Sequence, residues 1–258
     1  MSKHLHIIER LVNAAHHTTP TSPFTDEHPD MTSAEAYDVQ DAVVDARVNR
    51  GHGIVGAKLG LTSKAKQRQM KVETPLYGWL TADMQIDTGE ALVCSQFIQP
   101  RIEPEVAFLL SRDLMGAHVT AAHVLSATEA VFPSIDVLDS RFAGYKFTHT
   151  DVVADNCSSA AFSLGGSAID PRGVDLRLVG MTLEKNGELM HTAAGAAVHG
   201  HPAAAVAWLV RQLAARGRGL AAGQIVLSGG MTEAVAVAPG DTVVARFDRL
   251  GTVEIACV

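Results

Sequence analysis

Over residues 3–15, Leu5, Ile8, Leu11 and Val12 recur at helical spacing and form one apolar stripe, which predicts an amphipathic helix. The polar stretch HHTTPTSPFTDEHPD ends it. Thr32-Ser33-Ala34-Glu35 then has the form of a capping box, and Ala36, Val39, Val43 and Ala46 carry a second helical stripe as far as Gly51. From Ile54 the pattern changes to short β-branched runs punctuated by Gly, Pro and Asp: IVGAKLGL, ALVCSQFI, IEPEVAFLL, VDLRLVGMTLEKNG, QIVLSGG and DTVVARFDRLGTVEIACV. Asn186-Gly187 and Arg249-Leu250-Gly251 are hairpin signals, which favour antiparallel or mixed sheet over a regular βαβ series. One late helix is predicted over 202–216, with Pro202 at its start and Gly217 just past its end.

Composition narrows the class. A chain of 258 residues with 47% apolar positions can bury a large core without disulfides, and one domain with a smaller appended lobe is expected. Cys94, Cys157 and Cys257 are scattered and odd in number, with no C-x-x-C pairing, which argues against a disulfide framework or a thiolate zinc site and for a reducing cytoplasm. The N-terminal stretch has no signal-peptide core and no run approaches the roughly 20 apolar residues of a membrane span, so a soluble intracellular protein is expected. The formal charge of -7 comes without a dense Lys/Arg block, and only 5% of residues are aromatic. Neither a phosphate-neutralising face nor a base-stacking platform is present, which argues against nucleic acid as a partner.

Several motifs have ordinary explanations. GHGIVG, residues 51–56, matches G-x-G-x-x-G, but it follows a helix and opens a strand, the reverse of the order that points amides at a pyrophosphate. His199-Gly200-His201 lacks a third metal ligand nearby in sequence and fits a turn before the late helix. His4 and His6 are expected on a solvated helix face, and Ser158 and Ser159 lack the glycines of a nucleophile elbow.

The carboxylates of RIEPEVAFLL carry more. On a strand, Glu103 and Glu105 project from the same face about 6.5 to 7 Å apart and together can chelate one cation. Pro104 supplies no N–H and holds Glu103 extended, which suits an edge or a place where the sheet opens toward a cleft. Taken alone, the segment fits a half-exposed strand with both glutamates in water and Ile102, Val106 and Phe108 inside. Asp136, between Ile135 and Val137, adds a third oxygen donor, and VVADNCSS places Asp155, Asn156 and two serines after another apolar run. Three carboxylates without thiolate suit a hard ion such as Mg²⁺ or Mn²⁺.

The stretches GAKLGLTSKAKQRQM, VETPLYGWL, PRIEPEVAFLL, DVLDSRF, VVADNCSS, GAAVHGHP and VLSGGMTEAVAVAPGDTVVARFDRLGTV, in this order over nearly the whole chain, resemble the hydratase/decarboxylase branch of the fumarylacetoacetate hydrolase superfamily. The resemblance implies an α+β fold. Its mixed β-roll core would be of the fumarylacetoacetate hydrolase C-terminal type, with a smaller helical N-terminal lobe that covers the site as a lid. Residues 1–75 would hold the lobe and the first core strand, and residues 76–258 the catalytic β-roll. It also implies an Mg²⁺ or Mn²⁺ ion held by Glu103, Glu105 and a third carboxylate at Asp136. The branch usually has glutamate at that third position, so with the shorter aspartate either the backbone moves closer or the contact runs through water; Asp139 is the alternative ligand.

The branch's active-site lysine falls on Lys58, opposite Ala57 and Leu59 along the strand. Hydratases of the branch read Asp-Tyr-Gly or Asp-Phe-Gly where this chain has Leu76-Tyr77-Gly78. Adding water needs an acid/base group there, whereas losing CO₂ does not. The implied activity is therefore metal-dependent decarboxylation of 2-oxo-3-hexenedioate to 2-hydroxypenta-2,4-dienoate and CO₂ in catechol meta-cleavage. The alternatives are hydration of 2-hydroxypenta-2,4-dienoate and a non-catalytic subunit that stabilises such a hydratase. Lys58 would bind the distal carboxylate or stabilise developing charge, with Leu76, Tyr77, Asn156 and Ser158 positioning substrate. The implied partners are a 2-oxo dicarboxylate, further copies of the chain and the pathway hydratase.

Overall fold

The computed structural model describes residues 4–63, 67, 68, 72 and 74–258. Lys3, at the start of the first predicted helix, and parts of GAKLGLTSKAKQRQM and VETPLYGWL lie outside the described residues. The strands are β1 (Ile54–Gly60), β2 (Leu76–Thr81), β3 (Gln85–Ile86), β4 (Arg101–Leu110), β5 (Thr128–Leu138), β6 (Ser159–Leu164), β7 (Gly180–Lys185), β8 (Glu188–Ala194), β9 (Ile225–Leu227), β10 (Val235–Ala236), β11 (Thr242–Phe247) and β12 (Gly251–Ala256). The helices are α1 (Leu5–His16), α2 (Ser33–Val48), α3 (Ala121–Ala127), α4 (His149–Ala154) and α5 (Pro202–Ala215).

One sheet runs β2-β1-β9-β4-β5-β6-β3, with β10 also on β4, and the other runs β12-β11-β7-β8. Pairs β1–β9 and β3–β6 are parallel and the remaining pairs antiparallel, so the large sheet is mixed. Both hairpin signals fall between paired neighbours, β7–β8 and β11–β12. Mixed sheet with separate flanking helices is the α+β class expected.

Strand alternation divides the large sheet into two chemistries. Ile102, Val106 and Phe108 of β4 and Ala57 and Leu59 of β1 share a buried cluster with Val206, Leu209 and Val210 of α5 and Val243 of β11. Each fully buried aliphatic side chain of this kind contributes about 1.5 to 3 kcal/mol. The opposite face begins with a small apolar plug, Leu80, Met84, Ala107, Phe162 and Leu227, and continues into Lys58, Glu103, Glu105 and Asp136. Both faces of β4 are buried, so the glutamates do not stand in water.

Helices α1 and α2 pack against the backs of β2 and the segment 149–157. Ile7, Leu11, Ala36 and Val39 pack in one cluster with Leu76, Val152 and Cys157. Gln40 of α2 donates to the carbonyls of Tyr77 at 2.9 Å and Val153 at 2.7 Å, tying the helix to β2 and α4. The predicted capping box is present, with Thr32 accepting from the Glu35 N–H and Glu35 from the Thr32 N–H. Among the described residues no helix is long and apolar enough to cross a membrane.

The sequence expectations fail in identifiable places. ALVCSQFI is no strand: Leu92 makes a single bridge to Cys257 and residues Cys94–Gln96 form a 3₁₀ turn. Helices α3 and α4 are too short to display a helical period, although each begins at a capping box, Thr120 with His123 and Thr148 with Asp151. His4 is buried, 3.6 Å from Glu35, rather than solvated. His201 caps α5 by accepting from the Ala203 N–H, as a turn before a helix requires.

Candidate active site

Antiparallel pairing of β4 with β5 sets Glu103 opposite Asp136 and Glu105 opposite Ser134. Residues directly opposite in such a pair stand closer than residues two apart on one strand, so the register itself brings the shorter Asp136 to the two glutamates. Oxygen atoms of Glu103, Glu105 and Asp136 all lie within 4.8 Å of one another. Asp139, by contrast, accepts the Ile98 and Gln99 N–H groups at 2.9 and 2.7 Å and is outside this cluster. Pro104 does not sit at a sheet edge. Its carbonyl accepts from the Met231 N–H in the gap between β9 and β10, so its missing N–H costs no bond to β5.

Lys58 comes to the same place from β1. Its ammonium lies 2.5 Å from Asp136 Oδ2 and 3.3 Å from the Cys157 carbonyl. Burial alone would lower its pKa, but the charge of Asp136, with further help from Glu105 and Glu103, raises it, so Lys58 is a fixed cation. Glu105 is fully buried. Burial first, then repulsion from Asp136, holds its pKa well above the usual carboxylate range despite the opposing pull of Lys58. Glu105 Oε2 accepts from the Gly229 N–H at 2.6 Å, while Oε1 is buried with no hydrogen-bond partner among the described residues. Gly229 has φ +108, and a Cβ there would lie 2.3 Å from Thr62 Oγ1. Only glycine brings that N–H to Glu105 without strain.

The adjoining wall is irregular backbone. Asn156, Cys157 and Ser158 have φ of 49, 57 and 53, three left-handed residues in succession. Such a turn is costly and persists only where its surroundings fix it. The Asn156 side chain does so by accepting from the Trp79 N–H at 2.7 Å and donating to the Trp79 carbonyl at 2.9 Å, as a neighbouring strand would. Gly78 lets the turn approach, since a Cβ there would lie 2.4 Å from the Asn156 carbonyl oxygen. Asp155 holds the buried Arg141 side chain, and burial raises its pKa to about 6 against the pull of that arginine.

A cavity of about 240 Å³ opens onto Lys58 and Glu103. Leu76 and Ser158 line it, as does Cys157. Two expected substrate contacts are elsewhere. Tyr77 points to the other face of β2, where its ring stacks on Tyr37 at 4.5 Å, and Asn156 spends its side chain on Trp79. The sequence reading also missed Arg101, whose guanidinium lies 4.0 Å over the Tyr145 ring at the cavity wall. The alternation that paired Glu103 with Glu105 puts Arg101 on the same face, and that signal was available. Tyr145 lies in an irregular segment and left no comparable pattern.

Residues 42–258 match the model of the fumarylacetoacetate (FAA) hydrolase C-terminal family, and the chain belongs to that family. It is 42% identical over 250 residues to 4-oxalocrotonate decarboxylase of Pseudomonas putida, spanning 97% of this chain and 95% of the relative. It is also 40% identical over 246 residues to a 2-keto-4-pentenoate hydratase of Paraburkholderia xenovorans, spanning 95% and 91%. The structure of 4-oxalocrotonate decarboxylase from P. putida G7 complexed with magnesium and adipate superposes with a TM-score of 0.96 at 42% identity, covering 98% of this chain and 97% of that one.

Proposed function

We propose that the protein is a metal-dependent carboxy-lyase that converts 2-oxo-3-hexenedioate to 2-hydroxypenta-2,4-dienoate and CO₂ in catechol meta-cleavage. The observation that carries this reading is the cavity lined by Lys58, Glu103 and apolar Leu76, with the fully buried Glu105 and Asp136 completing the carboxylate cluster around Glu103. Its near-full-length likeness to named decarboxylases supports the same activity.

Glu103, Glu105 and Asp136 would hold the ion. An all-oxygen donor set suits Mg²⁺ or Mn²⁺, and the buried, partnerless Oε1 of Glu105 is an atom that such a cation satisfies. When bound, the ion supplies a Lewis acid beside the substrate's 2-oxo group. Lys58 keeps its proton and offers a fixed positive charge toward the oxygen on which negative charge accumulates. As the C5–C6 bond to the distal carboxylate breaks, its electron pair runs through the conjugated chain to the 2-oxygen, CO₂ leaves, and the dienolate takes one proton from solvent to become 2-hydroxypenta-2,4-dienoate. Leu61, Leu76, Phe147 and Val152 exclude water along that path. Leu76 offers no group to add water across the product. Ser158, at the wall, would position substrate, whereas Tyr77 and Asn156 act through packing and backbone support.

A homo-oligomer, a complex with the pathway hydratase and a cytoplasmic location belong to the same proposal. They rest on the family resemblance, and the buried free thiols Cys94, Cys157 and Cys257 suit a reducing compartment. Metal-loaded protein given 2-oxo-3-hexenedioate and, separately, 2-hydroxypenta-2,4-dienoate is expected to release CO₂ from the first and leave the second unhydrated. Hydration of the second without CO₂ from the first would replace this reading by the hydratase. Inactivity toward both would favour a non-catalytic subunit.

A further inference from the structure

We infer that Arg101, laid on the ring of Tyr145, binds the distal carboxylate of the substrate and so selects dicarboxylic over monocarboxylic 2-oxo acids. This rests on the proposed function. It reassigns a task that sequence alone offered to Lys58, because Lys58 is 1% exposed and already ion-paired with Asp136 at the deep end.

Arg101, Glu103 and Glu105 occupy alternate positions of β4 and therefore one face. Arg101 stands one two-residue step, about 6.5 to 7 Å, beyond Glu103 in the direction away from Glu105. A short dicarboxylate anchored at the carboxylate cluster by one end thus runs along the strand toward Arg101 with the other. Arg101 is a half-buried residue of the cavity wall and makes no ion pair with any described carboxylate; its guanidinium carbon lies 4.0 Å over the Tyr145 ring. Stacking uses the flat face of a guanidinium and leaves the in-plane N–H edge directed outward, the edge that matches a carboxylate bidentately.

Tyr145 is itself immobilised. Its hydroxyl donates to the carbonyls of Leu138 at 3.0 Å and Gln99 at 3.3 Å, and Leu138 is the cross-strand partner of Arg101. The platform and the cation it carries are therefore anchored to the same rung of the sheet. Leu61, Leu76, Phe147 and Val152 give the cavity an apolar side for the middle of the ligand, while Ser158 and the solvent-exposed Glu233 also line it; Arg101 is the cation on the lining besides the ion-paired Lys58.

The test compares binding of 2-oxoadipate and 2-oxohexanoate, which lack the double bond needed to lose CO₂, to Mn²⁺-loaded full-length protein by calorimetry. The wild type is expected to favour the dicarboxylate by about 10- to 100-fold, the range of one charge-assisted hydrogen-bonded pair. Arg101→Gln should lose that preference and leave 2-oxohexanoate and Mn²⁺ affinity unchanged. Arg101→Met, which keeps the apolar stem, gives the same readout if the glutamine variant folds poorly. An unchanged dicarboxylate preference in the folded variants overturns the assignment. Its failure is separable from that of the function: loss of preference in a protein whose wild type releases no CO₂ sinks only the decarboxylase reading, whereas CO₂ release with an unchanged preference sinks only the role of Arg101.

Discussion

At the deep end of the cavity Glu103, Glu105 and Asp136 stand on two regularly paired strands, whereas the wall beside Lys58 is made by residues 156–158 in successive left-handed conformations. The first region concentrates like charges that burial penalises, and the second stores backbone strain. The two therefore trade stability for function in different currencies. Charges can be removed from the deep end without disturbing the ladder that presents them. The turn is kept only by specific hydrogen bonds, and losing one undermines the wall itself.

The sharpest break in that comparison comes from Glu105→Gln. Glutamine keeps an oxygen for the Gly229 N–H but loses the charge, and decarboxylation is expected to fall by about 10² to 10³. Stability of the metal-free protein should hold or rise, because Glu105 is a carboxylate whose ionisation is opposed by burial and by Asp136. Urea unfolding beside a CO₂ assay checks both; a large stability loss would show that the glutamate is structural.

Asn156→Ala should behave the other way. It leaves the buried Trp79 N–H and carbonyl without the side chain that now pairs with them, and is expected to cost about 1 to 3 kcal/mol in unfolding free energy. Mn²⁺ affinity should change little, since Asn156 is not one of the three clustered carboxylates. Unaltered stability would mean that the turn holds itself.

The same contrast explains what the sequence disclosed. Period-two alternation makes RIEPE legible as a face of charges, and Lys58 opposite Ala57 and Leu59 follows the same rule. Asp136 was visible as a polar residue between Ile135 and Val137, but its pairing opposite Glu103 is a matter of register, which spacing along one strand does not specify. Tyr77 and Asn156 lie off the cavity lining for opposite reasons. Tyr77 obeys alternation and so faces away from Leu76, which the strand pattern already implied. Asn156 lies where three residues adopt positive φ, and nothing in VVADNCSS states that its amide will serve as a strand neighbour for Trp79. Arg101 was legible by its place on β4, while the Tyr145 platform became apparent only once the segment after β5 was folded back.

The central claim is that Glu103, Glu105 and Asp136 form one divalent-cation site. Calorimetric titration of the metal-free protein with Mg²⁺ or Mn²⁺ at several pH values tests it most directly. Because Glu105 holds its proton to an unusually high pH, an ion that takes its carboxylate must displace that proton. One ion per chain is expected, with protons released on binding, affinity that rises with pH, and binding largely lost in Glu105→Gln. Absence of binding to the wild type, or equal binding to both proteins, would contradict the account.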